Sequence, residues 1–248
     1  MDAEEYNDYY YNLADGKKQK SSGPNVIADQ LNQYSGEFLD LGCGMGDMSA
    51  LLSDKIRYTG VDNLDFSITR ARQRYPGKNF LQAAADRLPF EDKSFDIMLS
   101  IAMLQYVDNP RTVLVEMDRV LKPGGRLILS APNFELPWSR ALGIKHYSGF
   151  KKSMMFVRRS FAVVQRVFGL EPFLTIPESY YEKTGKYVSG NDSMKYIASA
   201  YEVANFFKKR GYEVKSLINY PGGIRAILSK FPGLKYAWGG ILLECHKV

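Results

Sequence analysis

The chain is poor in cysteine, histidine and tryptophan, with two of each among 248 residues, and it has no long apolar run. Cys43 and Cys245 lie 202 positions apart. That separation gives neither a disulfide framework nor a zinc-ligand spacing, and it predicts a reduced, cytoplasmic protein. With only His146 and His246 available, candidates for a general base are few. No cluster has metal-binding spacing, so no metal is expected. No stretch approaches the roughly 18 to 20 apolar residues that a bilayer span needs. Met1 to Gly16 is acidic and tyrosine-rich, unlike a signal peptide, so neither export nor a membrane span is expected. Acidic residues are also missing from one place. Residues 136–170 hold seven basic residues (Arg140, Lys145, Lys151, Lys152, Arg158, Arg159, Arg166) and no acid, so the formal charge of +6 resides there and the remainder stands at minus one. This predicts a local basic face rather than a surface that coats nucleic acid.

What is present is an ordinary globular composition, 45% hydrophobic and 24% charged. The length suits a single α/β domain carrying an insertion. Short apolar runs alternating with helical patterns predict parallel strands at Phe38 to Leu41, Tyr58 to Val61, Phe80 to Ala83, Phe95 to Ser100 and Arg126 to Ala131. Val113, Leu114, Met117, Val120 and Leu121 form one helical stripe, which Lys122-Pro123-Gly124-Gly125 then ends. After Asn133 an aromatic and basic region runs to about Ser199. A helix near Tyr201 to Lys209 and strands near Glu213 to Ile218 and Ile241 to His246 then restore the α/β pattern.

The most informative block is Phe38-Leu39-Asp40-Leu41-Gly42-Cys43-Gly44-Met45-Gly46-Asp47, a strand that runs into three glycines and then a helix. Such a corner lets a ligand touch bare backbone at the carboxyl end of the first strand. Asp62 ends the second strand, 22 residues after Asp40, where a carboxylate can accept hydrogen bonds from ribose hydroxyls. The spacing is G-x-G-x-G, which is neither a dinucleotide fingerprint nor a P-loop. No lysine follows the glycines, and Asp47 sets a negative charge where a pyrophosphate would sit. The expected ligand is an adenosine without phosphates.

With Leu88-Pro89-Phe90-Glu91-Asp92-Lys93-Ser94-Phe95-Asp96, Arg119 to Gly125 and Ala131-Pro132-Asn133 following in order, residues 36–133 resemble a class I S-adenosylmethionine-dependent methyltransferase. The likeness is to the small-molecule subgroup with a type 11 methyltransferase domain. The resemblance implies a Rossmann-like, doubly wound, mostly parallel seven-stranded sheet. Its last strand is antiparallel, and a mainly helical insertion separates strands five and six. It divides the chain into an N-terminal helical cap (1–35), a cofactor-binding core (36–133), an acceptor-side lid (134–198) and a final helix and strand pair (199–248).

The implied cofactor is S-adenosyl-L-methionine. Gly42, Cys43, Gly44 and Gly46 would wrap its methionine portion, and Asp40 would order the turn or meet the ammonium. Asp62 would hold the ribose and Asn63 would pack on the adenosine. Ala84, Ala85 and Asp86 would border the adenine, while Ser100, Ile101 and Gln105 would face the donor pocket. Where the family often has Gly-Asp-Ala-Glu before Leu-Pro-Phe, this chain has Ala83-Ala84-Ala85-Asp86, so either Asp86 or a water takes the adenine amino group. Tyr6, Tyr9, Tyr10 and Tyr11 resemble the N-terminal helix that covers the pocket, where aromatic rings could shelter a sulfonium. Cys43 is read as packing rather than a nucleophile.

The implied reaction is methylation of a small-molecule or lipid-linked acceptor at a hydroxyl, with His146 as the candidate base. Two alternatives stay open: an RNA methyltransferase, and a cofactor-binding regulatory protein without turnover. Ser100-Ile101-Ala102-Met103 stands where enzymes that methylate base amino groups usually carry Asn/Asp-Pro-Pro-Tyr/Phe, and DNA is not an expected partner. In the insertion, a helix is predicted over Phe150 to Phe168. At about 100° per residue, Phe150, Met154, Val157, Phe161, Val164 and Phe168 share an arc of roughly 80°, and Lys151, Lys152, Arg158, Arg159 and Arg166 share roughly 120° on the other side. One reading packs the apolar stripe on the domain as a lid and leaves the cations solvated. The other turns the cations toward an anionic acceptor or lipid headgroups, which would give peripheral membrane contact.

Overall fold

Apolar runs ended by glycine, proline or an acid become the strands of a single sheet. The computed structural model describes residues 23–132, 147–184, 193–216 and 241–248. Strands β1 (Gly36–Leu41), β2 (Ile56–Asp62), β3 (Asn79–Gln82), β4 (Phe95–Ile101) and β5 (Leu121–Ala131) pair in parallel. β6 (Tyr212–Ser216) and β7 (Ile241–Lys247) complete the order β3-β2-β1-β4-β5-β7-β6. β7 runs antiparallel to both of its neighbours. The expected sheet is therefore present, strand for strand.

Its two apolar layers follow from alternation along the central strands. Leu39, Leu41, Met98, Leu127 and Leu129 face one side, and Phe38, Ile97, Leu99 and Ile128 face the other. Helices α1 (Gly23–Leu31) and α2 (Asp65–Arg74) cover the second side through Ile27, Ala28, Leu31, Ile68 and Ala71. α3 (Pro110–Val120) covers the first with Val113, Leu114, Met117 and Val120. Asn109 caps α3 by accepting from the Thr112 N–H (3.3 Å), and Pro110 occupies its first turn, where a missing N–H costs nothing.

Two local details differ from expectation. The glycines after β1 lead into a 3₁₀ turn, Asp47–Ala50, rather than an α-helix. The side chain of Asn32 takes hold of the chain just beyond, donating to the Leu51 carbonyl (2.9 Å) and accepting from the Ser53 N–H (2.7 Å). The backbone then turns at once toward β2. β5 also begins at Leu121, which pairs with Phe95, and a register shift opposite Phe95 and Ile97 absorbs Lys122–Gly125.

The insertion contributes α4 (Gly149–Val167) and α5 (Tyr180–Thr184), and the chain rejoins the sheet through α6 (Ala200–Lys208). Ser148 caps α4, so the predicted helix is present. Its orientation overturns the expectation that the apolar stripe packs on the domain, and it takes Arg159 and Arg166 out of the outward-facing cations. Met155, Arg159, Ala162 and Arg166 point inward, while Phe150, Met154, Val157, Phe161, Val164 and Phe168 are exposed. The reason is a partner that lies far along the chain. The Arg166 guanidinium donates through Nε (2.9 Å) and Nη2 (2.7 Å) to Glu202 Oε1, and the Tyr196 hydroxyl donates to Glu202 Oε2 (2.8 Å). All three side chains are buried. Burial pushes the Glu202 carboxyl up, and Arg166 and Tyr196 pull it back.

Removing one member of a buried ion pair strands the other. Glu202→Ala should lower the unfolding free energy in urea by about 3–5 kcal/mol. The double variant Arg166→Met/Glu202→Leu, which strands no charge, should recover most of that loss.

Candidate functional site

The strand order reverses between β1 and β4, since β2 and β3 lie to one side and β5 to the other. The two connections leave in opposite directions and open a crevice at the carboxyl ends of these strands. The glycine corner and residues 100–105 meet there. Gly42 and Gly46 have φ of 81° and 82°. A Cβ on Gly42 would lie 2.5 Å from the Met103 side chain, and one on Gly46 would lie 2.6 Å from the Phe80 ring. Only glycine meets both conditions.

The corner is tied to the end of β2. The Gly42 and Cys43 N–H groups both donate to the Val61 carbonyl (2.7 and 3.0 Å). The Asp62 carboxylate accepts from the Gly44 N–H and the Leu64 N–H, each at 3.0 Å. Burial pushes the Asp62 carboxyl up against the pull of these donors. A carboxylate offers about four acceptor positions, so capacity remains for a ligand hydroxyl. Asn63 is exposed beside it, and its carbonyl accepts from Gln82 Nε2 (3.1 Å). The Ala83 N–H donates to the Asp62 carbonyl (3.0 Å). That bond keeps the segment with exposed Ala84, half-buried Ala85 and exposed Asp86 beside the same strand end.

Asp40 lies beneath the corner and accepts from the Tyr58 hydroxyl (2.8 Å). Burial, opposed by that bond and aided by Asp62, raises its carboxyl to about 7. In the sequence Tyr58 stands only as the start of a strand. The available signal was a hydroxyl-bearing ring on an apolar strand next to one that carries a buried acid. Burial also pushes the half-buried Cys43 thiol far up, which suits packing and makes a thiolate nucleophile unfavourable.

On the other wall, Ser100 and Gln105 are buried, and Ser100 Oγ and Gln105 Oε1 have no hydrogen-bond partner in the protein. Buried polar atoms are normally satisfied, and these two are left open, as are Ser49 Oγ and Ser53 Oγ among the described residues. Between them Ile101 is half-buried, and Ala102 holds a left-handed φ of 53°, a strained conformation for a residue with a Cβ. The Gln105 carbonyl accepts from the N–H groups of Lys195 (2.8 Å) and Tyr196 (3.1 Å). The insertion is thus docked directly on the crevice wall, a link with no sequence signal.

Tyr11 and His146 lie outside the described residues. His246 is exposed on β7. Among the described residues, no group of histidine, cysteine and carboxylate side chains could hold a metal.

Residues 39–129 match a family model described as a methyltransferase domain. The fatty-acid O-methyltransferase of Mycolicibacterium smegmatis is 33% identical over 142 residues, 48% of this chain and 52% of that protein. The ubiquinone/menaquinone biosynthesis C-methyltransferase of Desulfotalea psychrophila is 35% identical over 108 residues, covering 42% and 44%. The chain thus spans about half the length of these curated relatives. A solved S-adenosylmethionine-dependent methyltransferase from Mesorhizobium loti shares the fold, with a TM-score of 0.55, 17% identity and coverage of 89% and 95%.

In the unfolded chain Asp40 ionises near 3.8, and in the folded chain only near 7. Between those values the folded state holds the extra proton, so this group's contribution to stability falls as pH rises across the window and is level above it. Asp40→Asn keeps an acceptor for Tyr58 and should remove that decline, about 4 kcal/mol across the window. Urea titrations at about pH 5 and about pH 8 should show the variant gaining on the parent at the higher pH. An unchanged difference would mean that Asp40 is already ionised at the lower value.

Proposed function

We propose that the chain, whose residues 39–129 match a methyltransferase domain, is a class I S-adenosylmethionine-dependent methyltransferase that methylates a hydroxyl oxygen of a small-molecule or lipid-linked acceptor. One observation carries the reading. The crevice between β1 and β4 combines left-handed glycines, a strand-end carboxylate and two buried polar atoms that no protein group satisfies. These features fit S-adenosyl-L-methionine, which when bound supplies a methyl group activated by a sulfonium.

Gly42, Cys43, Gly44 and Gly46 present backbone to the methionine portion. Asp40, held by Tyr58, orders the turn beneath them. Asp62 accepts from ribose hydroxyls, Asn63 packs on the adenosine, and Ala85 and Asp86 border the adenine. Ser100, Ile101 and Gln105 face the donor side. By the resemblance of the sequence alone, Tyr11 would join the cofactor-binding set and His146 would take the acceptor's proton. Most of the rate then comes from holding the acceptor in line. Positioning of this kind can supply about 7 to 11 kcal/mol, and a general base adds about 10²- to 10⁴-fold.

The similarity to a fatty-acid O-methyltransferase supports a lipid-like acceptor and an oxygen nucleophile. Two free cysteines, Cys245 buried, support a reducing compartment such as the cytoplasm. Among the described residues no helix is long and apolar enough to cross a membrane.

Hydrogen bonds to a charged group contribute about 1.5 to 3 kcal/mol each, so Asp62→Ala should weaken cofactor binding by at least about tenfold. Calorimetry that found unchanged affinity would remove the assignment. His146→Ala should cut turnover at saturating cofactor by about 10²-fold or more, and full turnover would remove the base. Incubation of the protein and radiolabelled cofactor with cell fractions should place the label in the lipid or small-molecule extract. Label in RNA alone, or tight cofactor binding with no transfer to any fraction, would overturn the proposal.

A further inference from the structure

The outward face of α4 is unlike the rest of the described surface. Phe150 and Phe168 are 79% and 78% exposed, and Val157 and Phe161 exceed 60%. Met154, Phe156, Val164 and Val167 are exposed beside them, and Leu170 follows just past the helix. At about 100° per residue, the exposed apolar residues of the helix span an arc of roughly 160°. Ser153 and Ser160 are the only polar residues within that arc. The Ser160 hydroxyl is turned back onto the Phe156 carbonyl (2.9 Å), so it adds little polarity to the face.

The charges lie at the edges of this arc. Arg158 and Lys151 border one side and Lys152 the other, all exposed. Arg159 and Arg166, which the sequence alone would place on the same polar side, are buried against the domain. α4 contains no acidic residue. Glu171, the nearest acid beyond its C-terminal end, is engaged by Asn205 (2.6 Å) and Lys209 (2.8 Å).

We infer that α4 docks in the plane of an anionic lipid surface, its phenylalanines entering the headgroup boundary and Lys151, Lys152 and Arg158 meeting the phosphates. An exposed apolar arc edged by cations is the pattern of an interfacial helix. Its charge argues against a second copy of the chain on this face, because each cationic rim would meet another with no acid on either helix to answer it. The size of the exposed patch argues against ordinary solvation. The inference deepens the proposed function by bringing the crevice to a surface where a lipid-borne acceptor resides.

Flotation of the full chain with phosphatidylglycerol-containing vesicles tests this without measuring methyl transfer, so its outcome is separable from the choice of acceptor. The parent should float with anionic vesicles and much less with pure phosphatidylcholine. Phe150→Ser/Phe161→Ser alters only exposed side chains, so its circular dichroism and melting should match the parent while vesicle affinity drops at least about tenfold. Lys151→Glu/Lys152→Glu should lower affinity for anionic vesicles by about tenfold or more. No flotation of the parent at low salt, or flotation undiminished in the phenylalanine variant, would overturn the inference. Sedimentation showing a dimer that the same variant dissolves would overturn it in favour of a second copy.

Discussion

The carboxylate of Asp62 holds the crevice together. By accepting from the Gly44 and Leu64 N–H groups, it joins the bare backbone after β1 to the end of β2 and fixes the glycine corner against the neighbouring strand. The Val61 carbonyl does the same for Gly42 and Cys43. Backbone N–H groups that would otherwise be buried without partners are satisfied by the neighbouring strand end. The corner is preorganised because its hydrogen bonds are made before any ligand arrives.

The opposite wall is built on the other principle. Ser100 and Gln105 are buried with side-chain oxygens that no protein group meets, and Ala102 between them is held in a left-handed conformation. Unsatisfied atoms and local strain are tolerated where surrounding packing enforces them. The enforcing contact is the insertion, whose residues 195 and 196 donate to the Gln105 carbonyl. Tyr196 also donates to Glu202, which pairs with Arg166 of α4. One connected set of bonds thus runs from the crevice wall through α6 to the helix whose apolar face is turned outward.

Much of the fold and of the candidate site is legible in the sequence. Strand identities, the glycine corner and Asp62 rest on local patterns: alternation over a few residues, glycines at fixed spacing, and an acid where a strand must end. Those signals are short-range and survive in the linear chain. The 3₁₀ turn after Gly46 was missed because what shortens it is Asn32, a side chain on the far side of β1. Tyr58 was missed because its importance comes only from lying beside Asp40 in the folded sheet.

α4 marks the division most clearly. Periodicity along residues 150–168 determined that a helix forms there and that it is amphipathic, because side-chain spacing on a helix is fixed by backbone geometry. It could not determine which face turns inward. That was decided by Glu202 and Tyr196, which meet Arg166 only once the chain is folded. A buried, paired arginine outweighed the ordinary preference of phenylalanine for the interior. The amino-acid order thus settled the parallel sheet, the glycine turn and the acid at the strand end through local geometry. Tertiary structure alone settled the partners of the buried charges, since those depend on contacts between residues far apart in the chain.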